Sequence, residues 1–303
     1  MIDRAVETLR AGGLVAFPTE TVYGLGADAS NPAALKRLFD VKGRPASHPV
    51  IVHIARGAVL GEFARDVPPV AYELAGAFWP GPLTLVVRRR TDRVAAEAVG
   101  GRDTVGLRVP DHVLALQLLE AFAGGIAAPS ANRFGRVSPT TAQHVRDDLG
   151  ADVDVVLDGG PCTVGVESTI VDVTGPAPVV LRVGGVGEDA LARVLGARPA
   201  RRTEGEVAAP GTLASHYAPD ARVELVRSDA VEGQARLLRA EGFAVGVLEA
   251  PADVAEYARV LYRRLRELDA RGVDVILAVA PPETTGLGAA VADRLRRAAA
   301  GAH

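Results

Sequence analysis

Residues 198–218, RPARRTEGEVAAPGTLASHYA, interrupt the hydrophobic pattern of this 303-residue chain. The stretch is polar, contains Pro and Gly, and has neither the period of a strand nor that of a helix, so it reads as a connection. It divides the sequence into 1–197, a linker at 198–220, and 221–303. After it the order is regular: the run ARVELV, a helix near 229–241, FAVGVLE, a helix near 252–270, VDVILAV, and a helix near 286–300. That alternation predicts a small parallel, Rossmann-like three-layer unit. Before the linker the order is mixed. An amphipathic helix at 2–12 carries Ile2, Val6 and Leu9 on one face, and a short strand LVAFPT follows. Asn31-Pro32 opens a helix to about Val41, with Asn as cap and Pro at the first position. Strands are expected at 50–54, 84–87 and 104–109, and helices at 111–122 and from Ser138-Pro139 to Gly150. Three β-rich runs, DVVLDGG, STIVDV and VVLRV, close this half. Helices and strands alternate early and strands follow strands later, which predicts an α/β (α+β) fold with a mixed sheet.

Hydrophobic residues make up 48% of the chain and aromatics 4%, so the core is built from Val, Leu, Ile and Ala. The formal net charge of -3 argues against a protein whose whole surface binds nucleic acid. One cysteine, Cys162, permits no internal disulfide and no cysteine-based zinc site. No apolar run is long enough to span a bilayer and the N-terminus lacks an apolar signal core, so a cytoplasmic location is expected.

Familiar catalytic signatures are missing. There is no Walker-type phosphate loop, no G-x-S-x-G elbow, and no pair of histidines at metal-ligand spacing. Gly185, Gly187 and Ala190 fit G-x-G-x-x-A, but the acidic residue a dinucleotide site needs would fall in the linker. A tight strand-to-helix turn explains these glycines.

What stands out is polar residues at strand ends and in loops, where α/β sheets place their sites. PTETVYGLG (18–26) puts Thr19, Glu20 and Thr21 inside an apolar stretch, and Gly24 and Gly26 suggest close backbone approach. In VKGRPASHP (41–49), Lys42 and Arg44 flank a glycine in a proline-stiffened loop, a pair suited to an anionic triphosphate. Arg108 sits mid-strand in TVGLRVP, where it either grips a carboxylate across a cleft or makes an edge-strand salt bridge. Pro129, Ser130 and Asn132 form a rigid turn in APSANRFGRVSPT, with Ser138 as a helix cap. Ser168 enters a strand in GVESTIVD, and Arg182 leaves one in LRVGG.

In this order, these motifs resemble the YrdC/Sua5 family of threonylcarbamoyl-AMP synthases. The resemblance covers 1–195 as a YrdC-like catalytic domain, with APGTLASHYAP (209–219) as the linker of the longer Sua5 type and the remainder as its C-terminal domain. It implies a twisted mixed sheet with a concave basic cleft. It also implies a nucleotidyltransferase that makes L-threonylcarbamoyladenylate and pyrophosphate from L-threonine, bicarbonate or CO2, and ATP. The product would pass to a separate transferase for N6-threonylcarbamoylation (t6A) at position 37 of tRNAs; direct tRNA contact is not required. By motif, Thr21, His53, Arg108, the Ala128 backbone and Ser168 match the threonine-binding positions. Arg44, His48, Thr104, Ser130, Ser138 and Arg182 match the ATP-binding ones, with Tyr217 closing over the nucleotide from the linker. Lys42, Arg44, Arg108, Ser130 and Asn132 would form the catalytic set, with Lys42 and Asn132 lining the same cleft. Mg2+ would arrive with ATP, held by phosphates and water, with no protein metal site. His48 stands where the family more often has Asn, TLAS precedes His216 in place of basic and aromatic residues, and Ala292 replaces a common Asn.

Two competing readings follow from the same residues. Arg88, Arg89, Arg90, Arg133 and Arg136 could make a non-catalytic RNA-binding face. A carbamoyl-transfer domain of the hydrogenase-maturation type shares the fold, but needs segments and cysteines this chain lacks.

Overall fold

A computed structural model describes residues 1–202, 217–282 and 285–301. Ten strands precede the linker among the described residues, β1 (Val15–Phe17), β2 (Gly24–Asp28), β3 (Ile51–His53), β4 (Ala64–Arg65), β5 (Leu83–Arg89), β6 (Thr104–Arg108), β7 (Ile126–Ala127), β8 (Val155–Val156), β9 (Thr169–Asp172) and β10 (Val179–Arg182), and an eleventh, β11 (Ala200–Arg201), lies at the start of the stretch read as linker. They form one mixed sheet in the order β11-β10-β9-β5-β6-β3-β7-β2-β1-β8, with β4 on β5. β6 is antiparallel to β5 and parallel to β3. Arg108 therefore sits on an interior strand, and the edge-strand reading of its position does not hold.

Local sequence explains the elements that carry the site. The Asn31 side chain accepts hydrogen bonds from the Ala33 and Ala34 amides, and Pro32 begins the helix Pro32–Lys42. That helix stops at Gly43, whose φ of 64° suits glycine. The stop fixes where Lys42 and Arg44 project. Helix Ile2–Arg10 buries Ala5, Val6 and Leu9. In the same apolar cluster lie Leu118 and Leu119 of helix Val113–Phe122.

The expectation at Ser138-Pro139 is corrected. The helix spans Ala142–Leu149, and its cap is Thr141, which accepts from the His144 amide. Ser138 Oγ is occupied by Glu167, and the Pro139 carbonyl accepts from the Tyr23 amide. Residues 138–140 are thereby tied beside the 18–26 segment instead of turning into a helix.

Beyond the linker, β12 (Arg222–Val226), β13 (Val245–Leu248) and β14 (Val275–Val279) form a parallel sheet in the order β12-β14-β13. Helices Val231–Ala240, Val254–Asp269 and Gly286–Ala299 alternate with them. This is the predicted three-layer unit. It is not a loosely tethered one: the apolar cluster containing Leu261, Tyr262 and Ile276 also contains Val22, Val137 and Val166 from the first part. Among the described residues, no helix is long and apolar enough to cross a membrane.

Candidate active site

A cavity with an empty volume of about 560 Å³, solvent at its mouth included, opens beside the middle strands of the large sheet. Its wall includes Thr21 and Gly24 from the 18–26 segment, Arg44, His53, Arg108, Ala128, Ser130, Ser168, Arg182 and Tyr217. The structure thus brings together these ten residues, nine of which, all but Gly24, are among those the family resemblance assigns to the site. They come from separate chain regions because β3, β6, β9 and β10 lie close in sheet order.

Each wall residue is held by its own local chemistry. Thr19 Oγ1 donates to the Val22 carbonyl at 2.6 Å and lies 2.8 Å from Thr21 Oγ1, which fixes the turn that presents Thr21. Gly24 and Gly26 allow this strand to pack tightly. A Cβ on Gly24 would sit 3.2 Å from Ala128 Cβ, and one on Gly26 2.7 Å from Ile126 Cγ2. The motif glycines therefore serve wall packing. His53 and Arg108 are register partners on β3 and β6. A register shift between Val180 and Arg182 on β10 is of the kind that re-aims a side chain.

Electrostatically the cavity is a cluster of buried cations. Arg44, Arg108 and Arg182 are each under 9% exposed. Burial lowers Arg44 to about 10, still cationic at neutral pH, and its guanidinium donates to the Pro49 carbonyl. Arg108 Nη2 lies 2.7 Å from Glu20 Oε1, an ion contact whose angle falls outside hydrogen-bond geometry. Arg108 Nε donates to the Gly81 carbonyl at 3.2 Å, and Glu20 Oε2 accepts from the Asp111 amide at 3.0 Å. Arg182 donates to the Ser168 carbonyl and hydroxyl, and Ser168 Oγ lies 2.8 Å from Thr84 Oγ1. Burial, then the charge of Arg108, drives His53 down to about 3, so it is neutral. Burial raises Cys162 to about 12, so it is no activated thiolate.

Other expected residues lie elsewhere. Lys42 is buried, and its ammonium donates to the Ser130 and Asn132 carbonyls. Asn132 Nδ2 donates to the Arg133 and Arg136 carbonyls. Neither side chain lines the cavity: Lys42 clamps the loop that presents Ser130, and Asn132 closes it. Thr104 lines a smaller neighbouring cavity with Ile51 and Thr84. His48 is half-buried, its ring 5.7 Å from that of Phe134. Ser138 lies behind the wall, donating to Glu167 Oε1 at 2.7 Å. His216 and most of the linker lie outside the described residues.

The sequence reading marks Glu20 only as part of its motif and does not single out Glu167, the carboxylate that lines the cavity, although each is a charge inside an apolar motif. Glu167 binds Arg294 and Tyr262, from beyond the linker. A signal existed for Arg294: it falls on the apolar stripe of Val291, Leu295 and Ala298. Tyr217 holds a left-handed φ of 64°, its ring stacked 5.6 Å from Tyr262 with the Arg294 guanidinium 5.3 Å away. Such backbone conformations concentrate at functional sites.

Of the five arginines considered for RNA, Arg89 donates to the Val94 carbonyl and the other four pair with carboxylates. Arg88 pairs with Asp103, Arg90 with Asp92, Arg133 with Asp152 and Arg136 with Asp220.

Comparison with known proteins agrees with this geometry. Residues 7–184 match the Sua5/YciO/YrdC family, described as telomere recombination, and residues 186–300 match the threonylcarbamoyl-AMP synthase C-terminal domain. A threonylcarbamoyl-AMP synthase of Pyrococcus abyssi is 44% identical over 96% of this chain and 91% of its own. One of Bacillus subtilis is 38% identical over 99% and 93%. The crystal structure of P. abyssi Sua5 complexed with L-threonine superposes with a TM-score of 0.92 at 42% identity, covering 99% of this chain and 94% of that one. By sequence, fold and the composition of its cavity, the chain belongs to the Sua5/YciO/YrdC family, in the form that continues into the threonylcarbamoyl-AMP synthase C-terminal domain.

Proposed function

We propose that this protein is a threonylcarbamoyl-AMP synthase: a nucleotidyltransferase that joins L-threonine, bicarbonate or CO2, and ATP into L-threonylcarbamoyladenylate, releasing pyrophosphate. The observation that carries the reading is the convergence of Arg44, Arg108 and Arg182, all buried, on one cavity. A relative crystallised with L-threonine at 42% identity supports it.

The reaction asks the protein to position anions. The deprotonated threonine amine adds to the carbon of CO2, or to that of bicarbonate with loss of water, to give a carbamate; a carbamate oxygen attacks the α-phosphorus of ATP, the bond to the β,γ-pyrophosphate breaks and pyrophosphate leaves. Arg108 would take the threonine carboxylate, with Thr21 and Ser168 on the amino acid's polar groups. Arg44, Arg182 and Ser130 would hold the phosphates and stabilise charge on the leaving group. Fixed cations in a water-poor cavity do this without reorganising during the reaction. Neutral His53 adds no positive charge to the wall. Tyr217 would cover the nucleotide and keep water from a labile carbamate.

The wall carboxylate Glu167 is engaged by Arg294 and the nearby Glu20 by Arg108, and no cluster of three or more His, Cys, Asp or Glu that could hold a metal occurs among the described residues. The residues therefore do not fit a protein-held Mg2+. Magnesium would enter with ATP, and no step here depends on it. The product would feed t6A formation at position 37 of tRNAs through a separate transferase in the cytoplasm.

The test is pyrophosphate release by the purified chain with and without L-threonine and bicarbonate, with the nucleotide product identified by mass. Release that needs both, with an adenylate heavier by threonylcarbamoyl, is the expected result. Release without either co-substrate refutes the proposal. No release from a folded chain whose RNA binding weakens steeply with salt would favour the RNA-binding reading.

A further inference from the structure

Glu167 lines the cavity, yet its carboxylate is turned to the other half of the molecule. Ser138 Oγ donates to Oε1 at 2.7 Å. The Tyr262 hydroxyl lies 3.1 Å from Oε1 and 2.8 Å from Oε2. Arg294 Nε donates to Oε2 at 2.8 Å. Tyr262 belongs to helix Val254–Asp269 and Arg294 to helix Gly286–Ala299, so two of the three donors come from beyond the linker. Arg294 is 1% exposed and is itself fixed: Nη2 donates to the Val183 carbonyl and Nη1 pairs with Asp293.

The next residue faces the opposite way. Ser168 receives Arg182 on its carbonyl and its hydroxyl. Two consecutive residues therefore separate two arginines, Glu167 taking Arg294 and Ser168 taking Arg182. Burial works against ionisation of Glu167, but Arg294 and Arg182 together hold its carboxyl down to about 2. A carboxylate on the residue adjacent to Arg182's partner Ser168, in the same cavity wall, is a competitor for any phosphate that Arg182 would bind. In a buried site that competition is strong, because water screens it poorly.

We propose that Arg294 and Tyr262 are positioning residues for the nucleotide: they hold the Glu167 carboxylate on the C-terminal side and so keep it from neutralising the cations of the cavity, Arg182 above all. The C-terminal unit then has an electrostatic role in the synthase site beyond bracing the fold. The inference rests on the reading of this cavity as a nucleotide site. With Arg294 present, the charge of Glu167 is cancelled from outside the cavity. Without it, the carboxylate has to find its countercharge inside.

The experiment measures binding of a non-hydrolysable ATP analogue and of L-threonine to the full-length chain by calorimetry, with thermal unfolding as a check on folding. Arg294→Gln is expected to weaken analogue binding by about tenfold or more, within the range of couplings between close charge pairs. Threonine binding should stay within about twofold, well under 1 kcal/mol. Adding Glu167→Gln in that background should restore analogue affinity, since the competing charge is gone. Tyr262→Phe keeps the ring and removes the hydroxyl; it should show a smaller loss, also reversed by Glu167→Gln, and it carries the test where Arg294→Gln does not fold. Wild-type analogue affinity in the folded single variants overturns the inference, as does a loss that Glu167→Gln fails to reverse. A wild-type chain that shows this coupling but makes no threonylcarbamoyladenylate retains the inference and refutes the proposed reaction. A wild-type chain that does not bind the analogue refutes both.

Discussion

Arg108, on the cavity wall, meets Glu20 at 2.7 Å, each side chain 4% exposed, on an interior strand and a turn that share no local sequence. The contact lacks hydrogen-bond alignment, so Arg108 Nη2 keeps donor capacity while its charge is balanced. That arrangement suits a guanidinium that must exist buried before substrate arrives and still offer a fork to a carboxylate.

Replacing Arg108 by alanine should therefore cost threonine binding far more than nucleotide binding. Loss of one partner of a buried charge pair costs ~2–5 kcal/mol, which raises the threonine KM by more than an order of magnitude. Glu20 would be left uncompensated, so thermal stability should fall as well. Threonine titrations of pyrophosphate release decide the point, and an unchanged threonine dependence removes Arg108 from the substrate site.

Lys42 separates a clamp from a phosphate ligand. Its ammonium donates to the Ser130 and Asn132 carbonyls. Lys42→Met keeps the aliphatic stem and leaves two buried carbonyls unmet, at a cost on the order of 1–3 kcal/mol each. The expected outcome is a lower Tm with both KM values raised, because the loop carrying Ser130 loosens. A normal Tm with only the ATP KM raised would instead put the ammonium on phosphate.

Acid should destabilise the fold steadily below neutrality. Burial lowers His53 to about 3 and His144 to about 4 from an ordinary 6.5. The unfolded chain binds protons at both sites as pH drops through 6.5, while the folded chain does so only near 4 and 3. Stability is thus full above 6.5 and declines across that window. Glu167, held down to about 2 against an unfolded value of 4.5, adds stability that is present above 4.5 and lost as pH falls toward 2. All three act in one direction. Unfolding midpoints measured from pH 7 to 4 should drop monotonically, and His144→Gln should flatten the upper part of the slope. A midpoint that rises on acidification would contradict the assignment.

Much of this site is legible in the sequence, for a definite reason. Arg108 and Arg182 are charges in apolar strands and Arg44 a charge in a proline-stiffened loop, and a charge in an apolar strand must find a partner or a ligand. Their roles relative to one another were not legible. Lys42 and Asn132 share motifs with Arg44 and Ser130, but motif membership does not say whether a side chain faces a cavity or its own loop. Ser138 preceded a proline and read as a cap; a carboxylate 29 residues away in sequence claimed its hydroxyl. The pairing of Glu167 with Arg294 spans 127 residues, and only the docking of the second sheet unit creates it.

Gly184 gives the last test, because it touches the backbone that separates the two arginines. A Cβ there would lie 2.3 Å from the Glu167 carbonyl oxygen and 2.5 Å from that of Ser168. Neither atom is the end of a flexible side chain, so the 167–168 backbone must move. Overpacking of this kind costs ~1–3 kcal/mol of stability. The larger consequence falls on the site, since Arg182 is held by the Ser168 carbonyl and Arg294 by Glu167 itself. Gly184→Ala should raise the ATP KM out of proportion to its loss of Tm. Gly233→Ala is the matched control: it lies on the exposed face of helix Val231–Ala240, a Cβ there meets nothing within 4 Å, and the change should stabilise by about 0.5–1 kcal/mol. Equal kinetics in the two variants would show that the 167–184 contact supports the fold without setting the geometry of the nucleotide site.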